Sequence, residues 1–166
     1  MIKLRTLVFV IFSALTGPVL AQGTQIAFGS ADFDRSAPVE VTADALSVDQ
    51  ADGSAEFNGN VIVGQGTLRL SAGSLRIEYA TDADNNRTDV SRIVAKGGVT
   101  LVTGAEAAEA QEAIYTLTDA RIVMEGEVIV TQGPNALSGD RLIVNLDTGA
   151  GQMEGRVRTV IRTTSQ

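Results

Sequence analysis

The sequence predicts an all-β protein built from repeated strand units, on three observations. One seven-residue phrase is written four times: FNGNVIV from Phe57, AKGGVTL from Ala95, MEGEVIV from Met124 and MEGRVRT from Met153. Within and after each phrase, apolar residues alternate with the period of two that a strand with one buried face requires. Gly-rich links such as Gly64-Gln65-Gly66, Gly133-Pro134-Asn135 and Gly149-Ala150-Gly151 interrupt the alternation where turns are needed.

The N-terminus stands apart from these units. Lys3 and Arg5 form a short positive region, Leu7 to Leu15 an apolar stretch, Gly17-Pro18 a break, and Val19-Leu20-Ala21 a small-residue pattern before Gln22. That order reads as a secretory signal peptide, residues 1–21, cleaved after Ala21. Its apolar part is short for a membrane span, although a retained anchor stays open from sequence alone. Residues 22–37 lack a sustained period and read as a flexible lead-in, with Pro38 beginning an ordered domain, residues 38–163. Loss of Lys3 and Arg5 leaves 11 basic residues against 20 acidic, a net charge of −9 that disfavours a nucleic-acid partner. With no Cys in the chain, burial and backbone pairing supply the stability without disulfides.

Aligned on Gly59, Gly97, Gly126 and Gly155, the four phrases are spaced by 38, 29 and 29 residues. The longer first interval contains a polar run, TDADNNRTD at residues 81–89. A second, ungapped match lays residues 41–61 over 137–157, pairing Asp44 with Asp140, Leu46 with Leu142 and Val48 with Val144. Internal repetition of this kind points to a stacked or pseudo-symmetric architecture. Counted from each glycine, Phe57, Met124, Val61, Val128, Val63 and Val130 fall on one side, together with Val99 and Leu101. A second strand follows in each unit, at Leu75-x-Ile77-x-Tyr79, Ala113-x-Tyr115-x-Leu117 and Leu142-x-Val144-x-Leu146. The repeated glycine lies on the inward phase, where it marks a bulge at a corner of the sheet or is simply tolerated. GAEAAEAQEAIY, residues 104–115, has a helical composition, but its register favours a strand.

The chain has no His and no Cys, which removes the usual general base, thiolate chemistry and structural zinc. No G-x-S-x-G elbow and no nucleotide-binding loop are present, so the expectation is no enzyme, no cofactor and no metal. Asp82-x-Asp84-x-Asn86 begins like a calcium loop, but has Arg87 where that loop needs Gly and Ile93 where it needs Glu. Arg156, Arg158 and Arg162 share one face of the last strand, either to meet an anionic partner or to protect an exposed edge. The aliphatic interior is either a packed core or a channel with room for alkyl chains, and composition does not separate the two.

PVEVTADALSVD, EFNGNVIVGQGTLRLSAGSLRIEY and VMEGEVIVTQGPNALSGDRLIVNLDTG resemble the OstA-like family of lipopolysaccharide-transport proteins across residues 38–160. The resemblance implies a β-jellyroll of two antiparallel sheets in an open V, with lipid A acyl chains held between them. It implies lipid contact at Val39 and Val41, at Tyr115 and Leu117, and at Leu101. The inward residues Phe57, Val61, Val63, Met124, Val128 and Val130 would line the same groove. It also implies a periplasmic carrier of lipopolysaccharide that joins inner- and outer-membrane transport components, and further copies of itself head to tail, by edge-strand pairing. The edges would be Val39, Glu40, Val41 and Thr42 at one side and Arg156, Val157, Arg158, Thr159 and Val160 at the other. Three other readings stay open: a self-assembling β-protein without a ligand, an anchored inner-membrane relative, and an envelope-glycan enzyme with a carboxylate pair.

Overall fold

The structure is a computed structural model that describes residues 24–28, 34, 36–50, 53–84 and 86–162. The signal segment and its cleavage point lie outside the described residues. The strands are β1 (Thr24–Ala27), β2 (Glu40–Thr42), β3 (Ala45–Val48), β4 (Ala55–Gln65), β5 (Leu68–Thr81) and β6 (Arg87–Thr103). They continue as β7 (Glu106–Thr116), β8 (Arg121–Gln132), β9 (Asn135–Asn145), β10 (Ala150–Glu154) and β11 (Arg158–Val160). All belong to one antiparallel sheet, ordered β1-β10-β9-β8-β7-β6-β5-β4-β2, with β3 also on β4 and β11 also on β9. Residues 106–116 form a strand, because the alternation that buries Ala108, Ala110, Ala113 and Tyr115 overrides the helical composition.

Three hairpins turn in the same way. Gly66, Gly104 and Gly133 have φ of 56°, 58° and 54° and open two-residue loops completed by Thr67, Ala105 and Pro134. A positive φ at the first loop residue alone is the type II′ arrangement, whose twist matches that of the flanking strands.

The repeated phrase marks a corner. Pairing shifts between Asn58 and Val61, Ser71 and Ser74, Lys96 and Val99, Glu109 and Glu112, and Glu125 and Val128, which draws one line of bulges across the sheet. On β4, β6 and β8 the corner consists of two successive residues with positive φ: Gly59-Asn60, Gly97-Gly98 and Gly126-Glu127. Side chains rarely adopt that conformation, so glycine leads each pair. The fourth phrase has Gly155 at φ 75°, where the chain breaks between β10 and β11. The match of residues 41–61 with 137–157 is also physical. Asp44 accepts a hydrogen bond from Asn60 Nδ2 at 2.8 Å, and Asp140 meets Arg156 at 3.4 Å, each carboxylate lying over its own corner glycine.

At this line the sheet folds back on itself. Tyr115 shares a row with Ile93, Ile77 and Ala55, whereas Gln65 lies at the far end of β4. In a flat sheet they would be about ten residues apart along the strand and three strands across, roughly 35 Å. The Tyr115 hydroxyl instead donates to Gln65 Oε1 at 3.1 Å, so the two ends of the strands face each other. Gln132, at the end of β8, likewise donates to the carbonyl of Ala27 in β1. The two sheets expected of the jellyroll are therefore two halves of one bent sheet. The V is closed along its middle, where Leu101, Met124, Val128 and Val130 are each 0% exposed.

Thr24–Ala27, inside the segment read as a flexible lead-in, pairs with β10 from Thr24 opposite Met153 to Ala27 opposite Ala150. Ile26 packs against the core and Phe28 is buried. Two apolar residues two positions apart are too short a run to raise a periodic signal.

Candidate functional site

The register assembles the interior row by row. Val63, Leu70, Leu101, Ala108, Val130 and Leu137 are successive partners across six strands, and all are buried. Beyond the corner, Phe57, Leu75, Ala95, Ala113, Met124, Leu142 and Met153 form the facing row. Val61 and Val128 are buried beside the bulges. β7 contributes only Ala108, Ala110 and Ala113 before Tyr115, giving the wall low relief between Leu101 and Val130.

The residues singled out in the sequence divide into two groups. Val61, Val63, Leu101, Tyr115, Met124, Val128 and Val130 are buried in the closed interior. Val39, Val41, Phe57 and Leu117 are half-buried and pack against its margin. Gln65 brings Tyr115 close to the segment that enters β2, since its Nε2 donates to the carbonyl of Ala37, two residues before Val39.

The sequence reading missed the margin at β3. Leu46 is the partner of Phe57, and Val48 of Ala55, so both carry the inward phase. Neither is covered, and they are 58% and 57% exposed. Their counterparts in the repeat, Leu142 and Val144, are 0% exposed, because β9 is flanked by β8 as well as β10, while β3 pairs with β4 alone among the described residues. The repeat alignment was the available signal, but it could not say which copy stands at an edge.

The expected edges are present in part. β2 pairs with β4 through Glu40, Val41 and Thr42, and β11 with β9 through Arg158, Thr159 and Val160. Arg156 and Val157 belong to the corner before β11 rather than to its paired residues, because Gly155 turns the chain there. One rim carries Glu40 and Asp44, the other Arg156, Arg158 and Arg162, all exposed.

In the calcium-like loop, Asp82 Oδ1 accepts from the backbone N–H groups of Asn86 at 2.8 Å and Asp84 at 3.0 Å. Donation from Asn86 is the main reason its carboxyl lies below the ordinary carboxylate value. The carboxylate thus braces its own loop.

Comparison with known proteins agrees with this geometry. The sequence model of the family described as LptA/(LptD N-terminal domain) LPS transport protein matches residues 40–150. A protein of Rhizobium meliloti (strain 1021), described as uncharacterised, is 31% identical over 153 residues, 88% of this chain and 82% of its own length. LptH of Pseudomonas aeruginosa is described as the LptA-homologous periplasmic component of the lipopolysaccharide transport device. Its crystal structure matches with a TM-score of 0.67 at 20% identity, over 78% of this chain and 99% of that one, a likeness of fold. With its all-strand jellyroll and its family match over most of its length, this chain belongs to the LptA/LptD N-terminal domain family of lipopolysaccharide transport proteins.

Proposed function

We propose that this protein is a non-enzymatic periplasmic carrier that takes the acyl chains of lipid A between the two halves of its bent sheet. The observation that carries the reading is the apolar inner face that runs, without a covering strand, out to Leu46 and Val48 at the β3 margin. An acyl chain needs apolar area and no special chemistry, and gains about 0.8 kcal/mol for each methylene it buries. Val39, Val41, Phe57 and Leu117 sit where a chain would first make contact, and the buried set from Val61 to Val130 would receive it as the halves part. Weak and similar affinity at successive sites favours transfer, because a tight site would trap the lipid.

Edge pairing supplies the partners in this reading. β2 and β11 each have one side unpaired among the described residues, which suits head-to-tail joining to further copies and to the inner- and outer-membrane transport components. The acidic rim at Glu40 and the basic rim at Arg158 are complementary in sign. Export to the periplasm follows from the signal peptide, with the mature chain beginning at Gln22. N-terminal sequencing separates this from the anchored relative.

A second reading has its own observation. The 0% exposure of Leu101, Met124, Val128 and Val130 also suits a filled core in a self-assembling β-protein without a ligand. Photocrosslinking in cells from probes at Val39, Val41 and Tyr115 decides between them. Adducts with lipopolysaccharide at these positions support the carrier, and their absence at all three supports the structural protein.

A further inference from the structure

The inward faces of the strands are hydrocarbon almost throughout, and Gln65, Thr103 and Tyr115 bring buried polar atoms into them. Gln65 is 4% exposed and Tyr115 6%. The Tyr115 hydroxyl donates to Gln65 Oε1 at 3.1 Å, while Gln65 Nε2 donates to the Ala37 carbonyl at 3.1 Å. One carboxamide therefore ties together β4, the opposite half of the sheet at β7, and the segment that enters β2. β2 itself is held by only three register pairs with β4.

We propose that Gln65 and Tyr115 form a gate on the lipid site, a proposal that rests on the carrier reading above. With both bonds made, the halves are shut and the β2 margin is drawn over one end of the interior. A chain enters when the Tyr115 bond breaks and the halves part. Breaking that buried bond forfeits its contribution, so a bare hydrocarbon opens the gate at a penalty. An acyl chain joined through an ester or amide brings a carbonyl that accepts the freed Tyr115 hydroxyl, and replaces the bond it broke. The gate thus favours acylated amphiphiles over plain alkyl chains of equal length.

The test uses the mature protein and lipopolysaccharide carrying a fluorescent label, with uptake and release followed by stopped-flow fluorescence. Tyr115→Phe, which removes one oxygen, is expected to speed both uptake and release roughly two- to tenfold. Gln65→Leu is expected to do the same. If it does not fold, Tyr115→Phe carries the test alone. Asp82→Ala, which removes the brace of an outer loop, is expected to leave both rates at the wild-type value. Wild-type rates in Tyr115→Phe, or an equal acceleration in Asp82→Ala, would overturn the gate. Absence of uptake by the wild-type protein would instead overturn the carrier reading itself.

Discussion

Where β5 crosses β6, Gly73 and Gly97 pack backbone against backbone. A Cβ on Gly73 would stand 3.1 Å from the Gly97 carbonyl oxygen, and one on Gly97 would stand 3.3 Å from the Gly73 Cα. Neither neighbour is a side chain that can swing away, so the corner needs both glycines. Gly97 also holds φ at +84°, whereas Gly98 holds +80° in open space. Gly98→Ala is therefore expected to cost about 1 kcal/mol from backbone strain, and Gly97→Ala about 2–3 kcal/mol from strain and crowding together. Urea denaturation would check the order, and equal midpoints would remove the steric part of the argument.

The two copies of the D-x-L phrase, Asp44 to Leu46 and Asp140 to Leu142, give opposite outcomes for the same substitution. Leu142→Ala opens a cavity at a side chain that is 0% exposed and is expected to cost about 2–5 kcal/mol. Leu46→Ala, at 58% exposure, is expected to stay within about 0.5 kcal/mol. A large loss at Leu46 in dilute solution would mean that the β3 margin is already covered, by a second copy or a ligand.

The gate also leaves a thermodynamic trace. Tyr115→Phe removes the hydroxyl that donates to Gln65 Oε1 and is expected to cost about 1–3 kcal/mol. Once Gln65→Leu has removed that acceptor, the added cost of Tyr115→Phe should largely vanish. A denaturation double-mutant cycle reads this as non-additivity, and additive losses would show that the bond contributes nothing to closure.

Charge reversal examines the proposed edge pairing. Arg158→Glu is expected to weaken self-association severalfold at low salt and much less at high salt, because the charges on both rims are exposed. Glu40→Lys should do the same, and the two reversals combined should recover part of the loss. Sedimentation velocity at two ionic strengths would measure it.

Asp82 sets an acid limit on its own loop. Its folded pKa is depressed below the ordinary 3.8, so the brace is fully present above that value and is lost as pH falls through the folded pKa. The Asn86 amide resonance should follow that titration by NMR. Asp82→Ala should abolish the transition and leave the sheet intact.

The sequence by itself determined the strands of the repeated units, their inward faces and the glycines at which those strands could bend. A period of two is set by local backbone geometry, and a left-handed corner restricts residue choice so strongly that Gly59, Gly97, Gly126 and Gly155 announce it. Family membership was legible for the same reason, since the phrases around those glycines carry the architecture. It even placed Tyr115 and Val39 in one set, and the structure joins their surroundings through Gln65. Only the tertiary structure decided that one sheet folds over itself to bring Gln65 to Tyr115, that Ile26 and Phe28 add a strand beside β10, and that Leu46 is bare while Leu142 is sealed. Those outcomes depend on which strands become neighbours across the whole chain. Identical local phrases experience different surroundings there, and no local signal carries that information.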